Sequence, residues 1–358
     1  MDNRELEILN IGENLDALMT LDPRGYGVCR MLYAGSRKHT GRPLTINAAQ
    51  QLLSTVHSGD VVFIITGFVL LPHRVPETDG LVGSLFLARA IVNAFGATPI
   101  IICPEECLKA IHKCAHVIGL HLFEDIQTAV SLPLSMGVVA YTKDPALALA
   151  QAQALLQSVT PAAVIAVEAP GANAKGVYHN AAGMDVTALE SKTDVLWKLL
   201  QQNGVPSIAI GDLGNEIGMG TIAHHIQRYI PHTDTCECQC GCQGGILADS
   251  TTDAIITATC SDWGCYGLIT ALAYLKGNMD ILHSDDMESD TLRAASRNGM
   301  VDMNGSLLPG VDGFDVRMMV SVLSLMRQCT SYALKHACEF VPWFTDVLAK
   351  PFYTENCI

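Results

Sequence analysis

The chain has 358 residues, is 49% hydrophobic and 16% charged, and carries a net charge of −14. That length allows a substantial core in one large α/β domain or two, while the acidic balance argues against nucleic acid or an anionic membrane surface as the main partner. The longest apolar run, Val61 to Pro72, is broken by Thr66 and Gly67 and is too short to span a bilayer, so no membrane partner is expected.

The first residues, Met1-Asp-Asn-Arg-Glu-Leu-Glu, have neither the basic and apolar segments of a secretory signal nor the Arg-rich, acid-poor character of a transit peptide. Together with 13 cysteines, an odd number scattered along the chain, they predict a reduced, cytoplasmic protein. Glu5 to Thr20 reads as an amphipathic helix, and the turn from Leu21 to Gly27 presents Arg24 and Tyr26. Thr45 to His57 reads as a second helix. Val61 to Thr66 is β-branched and apolar throughout, the signature of a buried parallel strand.

From there strand and helix alternate. Expected strands are Pro99–Cys103, His116–Gly119, Gly137–Tyr141, Ala163–Val167, Ser207–Ile210 and Asp253–Thr259. Expected helices are Thr78–Phe95, Glu105–Cys114, Glu124–Val130, Pro145–Val159, Val186–Gln202, Trp263–Leu275 and Asp285–Asn298. This rhythm predicts an α/β fold: a mainly parallel sheet with helices on both faces, three layers in all. Residues 300–313 are loop-rich with a possible hairpin, followed by a helix from Asp315 to Gln328. The predicted organisation is a single domain over 1–330 with a C-terminal helical tail over 331–358.

Polar groups recur just after the strands, where ligands sit in open α/β sheets. Glu77 and Asp79 follow the first strand, Glu168 follows Val167, and Asp262 follows the last strand. After Ile210 comes Gly211-Asp-Leu-Gly-Asn-Glu-Ile-Gly-Met-Gly220, in which glycines let the backbone turn tightly and approach a ligand. If a helix starts near Asn215, Glu216 falls in its first turn, near the positive end of the dipole. The spacing is neither Gly-x-Gly-x-x-Gly nor a P-loop, so no nucleotide cofactor is indicated. Converging carboxylates repel and call for cations. A hard divalent ion, Mg²⁺ or Mn²⁺, is one solution, and Arg24, Arg74 and Lys175 are another. His73 and His179 are candidate bases near the same edge.

Cys236-Glu-Cys-Gln-Cys-Gly-Cys242 alternates strictly, which puts four thiols on one face if extended. That is a poor match to the Cys-x-x-Cys pairs of structural zinc, and the run reads as a polar loop of incidental or redox-labile thiols, with metal binding as the alternative.

Glu77-Thr-Asp-Gly80 at a helix start, Gly211 to Gly220, Ser261-Asp-Trp-Gly264 and Val311-Asp-Gly313 together resemble the D-glutamate cyclase C-terminal domain family, in consistent order from about Asp16 to Arg327. The resemblance implies a hydro-lyase converting D-glutamate to 5-oxo-D-proline and water, or the reverse hydrolysis, with a small acidic amino acid as partner. On that reading Asp212, Glu216, Glu77 and Asp79 are catalytic, and Asp212, Glu216 and Asp79 also hold a metal. Arg74, Lys175, Asn215, Asn180 and Glu168 bind substrate. The residues by themselves leave open another metal-dependent lyase or hydrolase, a module that binds an acidic metabolite without turnover, and homo-oligomerisation.

Overall fold

Val61–Thr66, Thr98–Cys103 and Ala163–Val167 are buried at every position, as strands covered on both faces must be. In the computed structural model, which describes residues 3–233, 238–336 and 350, they lie side by side in one sheet. The chain opens with helices α1 (Asn3–Met19), α2 (Val28–Thr40) and α3 (Leu44–Thr55), then strand β1 (Val61–Thr66). A hairpin of β2 (Val69–Leu70) and β3 (Val75–Pro76) leads into α4 (Leu81–Phe95). Alternation follows through β4 (Thr98–Cys103), α5 (Leu108–Val117), β5 (His121–Phe123), α6 (Ile126–Ser131), β6 (Ser135–Ala140), α7 (Pro145–Ser158) and β7 (Ala163–Val167). It continues with α8 (Thr193–Gln202), β8 (Ser207–Gly211), α9 (Ala223–Tyr229), β9 (Ala254–Thr257), α10 (Ser261–Lys276) and α11 (Asp285–Arg297). A second hairpin, β10 (Gly310–Val311) and β11 (Phe314–Asp315), precedes α12 (Val316–His336).

Seven strands form the main sheet in the order β5-β6-β4-β1-β7-β8-β9, and every pairing in it is parallel. The chain winds outward from β1 through β4, then returns to the other side of β1 at β7. In open α/β sheets a reversal of this kind marks the ligand crevice, here at the carboxyl ends of β1 and β7. Alternate residues of the strands face opposite layers. Val62, Ile64, Ile165 and Ile208 join the core under α1, α3, α4, α10 and α12, while Phe63, Ile65, Val164 and Ala209 join the core under α7 and α8. The three-layer α/β architecture is therefore present. Among the described residues no helix is long and apolar enough to cross a membrane.

Several boundaries differ from expectation, each for a local reason. His116 and Val117 belong to α5, and the strand begins only after Gly119 turns the chain at φ 77°. The helix expected from Val186 starts at Thr193, because Glu190 is buried with its carboxylate accepting the Val69 N–H at 3.2 Å. Helix α2 was not expected, since its buried stripe is Cys29, Leu32, Gly35 and Ser36, residues too small or polar to read as an apolar face. Helix α12 runs unbroken across position 330 to His336, and most of the expected tail lies outside the described residues.

Candidate active site

The turn after β8 is built on a carboxylate. Glu216 folds back so that its Oε1 accepts the N–H groups of Asp212 at 2.8 Å and Leu213 at 2.7 Å, and its Oε2 accepts that of Gly214 at 2.6 Å. Glu216 is thus outside any helix: Gly218, at φ 92°, breaks the chain first, and a short 3₁₀ turn over Met219–Ile222 precedes α9. A Cβ on Gly211 would lie 2.8 Å from the Glu216 Cδ, so glycine is what lets this carboxylate tuck under the strand end.

The turn aims Asp212 into the crevice. Asp212 is 3% exposed, neither of its buried oxygens accepts an N–H group among the described residues, and its side-chain hydrogen bond is shared with another acid, Asp312. The Nη2 of Arg24 is 4.0 Å from one of them. Burial pushes the Asp212 carboxyl well above the usual range, and Glu168 and Asp312 push it the same way. Oxygens of Asp79, Asp212 and Asp312 lie within 4.8 Å of one another, as do those of Glu168, Asp212 and Glu216. Asp212 is common to both groups.

Two helix N-termini close the crevice by capping each other. Asp79 accepts the N–H groups of Ser261 and Asp262, each at 2.9 Å, at the start of α10. Asp262 in return accepts those of Gly80 at 2.9 Å and Gly83 at 2.8 Å at the start of α4. Charge-assisted caps of this kind satisfy donors that a helix cannot. Burial and Asp312 still raise Asp79, to about 7. Glu168 sits in the left-handed region at φ 43° and accepts the Ser261 hydroxyl at 2.7 Å. Glu77 is buried beside Val301, and burial followed by Asp312 and Asp79 raises its carboxyl.

Arg24 and Asp312 complete the ring. Nη1 of Arg24 donates to the Asp312 Oδ2 at 2.9 Å, Nη2 donates to the Thr259 carbonyl, and the guanidinium lies 5.1 Å from the Phe314 ring centroid. The Arg24 Nε is buried and unpartnered. Asp312 was not singled out from the sequence as a site residue. Its one signal is the Val311-Asp-Gly313 string, which on its own reads as an ordinary hairpin turn.

The sequence-predicted residues therefore divide. Glu77, Asp79, Glu168, Asp212, Asn215 and Glu216 are buried around one crevice. Asn215 donates from Nδ2 to the His179 carbonyl at 2.9 Å and leaves its buried Oδ1 unpartnered. Arg74 is instead exposed in the turn between β2 and β3, lining a separate cleft of about 550 Å³ with Lys143 and Lys192. Lys175 is exposed in a loop turn, and Asn180 uses its Oδ1 to accept the N–H groups of Ala182 at 3.1 Å and Met184 at 3.0 Å. Among the described residues no ion pair joins Arg74 or Lys175 to the crevice. His179 faces the sulfurs of Cys240 and Cys242.

The chain is similar to the human protein named D-glutamate cyclase, mitochondrial: 33% identical over 133 residues, which cover 37% of this chain and 19% of that relative's length. The profile of the family described as D-glutamate cyclase-like, C-terminal, matches residues 15–327, spanning every element of the crevice, and the chain belongs to that family.

Proposed function

We propose that this chain is a hydro-lyase of the D-glutamate cyclase type, interconverting D-glutamate with 5-oxo-D-proline and water on a catalytic unit of residues 1–330, with 331–358 as its tail. The observation that carries this reading is Asp212, a buried acid that takes no backbone N–H group, shares its side-chain hydrogen bond with a second acid, Asp312, and lies in a ring of carboxylates beside one arginine.

Cyclisation joins the substrate nitrogen to its own γ-carboxyl carbon and expels one carboxyl oxygen. The two protons lost from the ammonium group leave with that oxygen as water. The site must therefore take protons from nitrogen and return them to oxygen. Asp212 takes the first, because burial and its acidic neighbours raise its proton affinity towards that of a useful base. Glu77, whose carboxyl is raised in the same way, holds a proton to deliver to the departing oxygen. Asp79 and Glu216 keep the two walls in place through their backbone N–H bonds. The free Nε of Arg24 binds the substrate α-carboxylate, and the free Oδ1 of Asn215 accepts an N–H from the substrate amine. Glu168 lines the wall between β7 and α10.

The donor set fits a hard divalent ion. Asp79, Asp212 and Asp312 offer oxygens only, and a cation would take the place of the proton that Asp212 and Asp312 share. Mg²⁺ or Mn²⁺ bound there supplies charge neutralisation and polarisation of the reacting carboxyl.

The test is 5-oxoproline formation from D- and L-glutamate by the purified chain, metal-stripped and then resupplied with Mg²⁺ or Mn²⁺, with Asp212→Ala as control. Turnover of D-glutamate, lost in the variant, is the expected result. Thermal stabilisation by D-glutamate with no product in any condition would leave a binding module instead.

A further inference from the structure

Away from the acid ring, the chain brings three thiols and an imidazole to one point. His179, in the loop after β7, is 1% exposed. Its Nε2 lies 3.3 Å from the Cys240 Sγ and 3.8 Å from the Cys242 Sγ, and Cys238 and Cys242 are 3.5 Å apart, sulfur to sulfur. One ligand atom from each of the four residues falls within 4.8 Å of all the others. The strict alternation of these cysteines suggested thiols lining an extended face. Gly241, Gln243 and Gly245, at φ 73°, 58° and 65°, curl the segment so that its thiols converge.

The separations decide between two readings. A disulfide requires sulfurs about 2.05 Å apart, and these cysteines are free. A tetrahedron with Zn–S of about 2.3 Å and Zn–N of about 2.0–2.1 Å has S···S edges of about 3.8 Å and N···S edges of about 3.6 Å. The observed N···S spacings of 3.3 and 3.8 Å bracket the N···S edge, and the 3.5 Å between the Cys238 and Cys242 sulfurs falls just inside the S···S edge. The surroundings are also those of a metal centre, where second-sphere groups orient the ligands. Backbone groups of Gly244, Gln243 and Gly245 hydrogen-bond to Cys238, and the His179 ring bonds to the Val177 backbone. Asn173 donates from Nδ2 to the Cys242 sulfur at 3.5 Å and to the Gly245 carbonyl at 2.7 Å, while its Oδ1 accepts from Lys175 and Val177 N–H groups at 2.9 and 3.1 Å. A Cβ on Gly244 would lie 2.3 Å from that Nδ2, so glycine is required for the asparagine to reach across.

We propose that His179, Cys238, Cys240 and Cys242 form a structural zinc site that pins the loop after β7 to the loop before β9. Soft thiolates with one imidazole select zinc over the hard ions suited to the carboxylates, and four protein ligands leave no open position for catalysis. The site also supports the crevice, since the carbonyl of His179 holds Asn215 in the turn that carries Asp212. It stands independently of the reaction proposed above.

The full chain, purified reduced with zinc and passed through a desalting column, is expected to retain one zinc per chain by mass spectrometric metal analysis. Replacement by Co²⁺ should give thiolate-to-cobalt charge-transfer absorption and the intense visible bands of tetrahedral cobalt. Cys242→Ser should weaken zinc binding by more than about 100-fold, and Cys240→Ser, at the exposed ligand, should remove roughly a third of the charge-transfer intensity, one thiolate of three. Asp212→Asn should keep both zinc and spectrum, which separates this site from the acid ring. Substoichiometric zinc in the reduced chain, cobalt bands without thiolate charge transfer, or an unchanged spectrum in both cysteine variants would overturn the assignment.

Discussion

The acid crevice and the Cys/His corner are both buried clusters of ionisable groups, and Asn215 connects them, yet they are held in opposite ways. In the crevice most carboxylates already have partners: Glu216 takes three backbone N–H groups, and Asp79 and Asp262 cap one another's helices. Asp212 takes no N–H group and has only the Asp312 carboxyl and an arginine nitrogen 4.0 Å away, and its burial raises its proton affinity. In the corner the backbone curls so that all four ligand atoms face one another. A ligand there would add stability, whereas the burial of Asp212 costs stability, a cost that persists where activity depends on it. The first region is held by hydrogen bonds within the protein itself; the second brings two loops together.

Among the groups around Asp212, the largest effect is expected at Arg24, which bridges the ring through Asp312 and Thr259. Arg24→Ala should lower kcat/KM for D-glutamate by about 1,000-fold, or about 4 kcal/mol of transition-state stabilisation. Steady-state kinetics would check this. Next is the crossing of the helix caps: Gly80 is at φ 72°, and a Cβ there would lie 2.2 Å from that of Glu168. Gly80→Ala should cost about 3 kcal/mol or more in chemical denaturation; a neutral result would show that the crevice walls yield easily.

A smaller effect is expected from pH. Asp79 is raised to about 7 from 3.8, and the buried Asp16, which caps α3 from α1, is raised to about 6, in both cases chiefly by burial. The folded chain holds these protons more tightly than the unfolded one. Their contribution to stability is therefore complete below about pH 4 and is lost as pH rises through 6 to 7. Divalent-free protein should melt roughly 5 °C higher at about pH 5 than at about pH 8, with Mn²⁺ recovering part of the loss at the higher pH. The smallest effect is expected at Lys175, which is exposed and, among the described residues, in no ion pair: Lys175→Ala should change D-glutamate turnover by less than about twofold. A larger drop would extend the site to that loop.

What could be read in the sequence tracks the range of the interaction. Strand β1 was legible to the residue because six consecutive buried apolar or β-branched positions are a local signal. Asp79, Glu168 and Asp212 were legible as strand-end polar groups. The exchange of caps between Asp79 and Asp262 spans 183 residues, and the Arg24–Asp312 pair spans 288; neither leaves a mark in local periodicity. Glu216 was placed in a helix because glycine-rich turns often lead into one, whereas three converging N–H groups claimed its carboxylate first. The cysteine run was read from spacing alone, and His179, which gives that spacing its meaning, is 61 residues from Cys240.

The most direct test of the central claim is D-glutamate turnover by Asp212→Asn, which keeps the shape of the side chain and removes its charge. The account predicts a fall of at least about 1,000-fold in kcat in a protein that melts no lower than the parent. Turnover within about tenfold of the parent would contradict it, and would show that Asp212 is not the centre of this site.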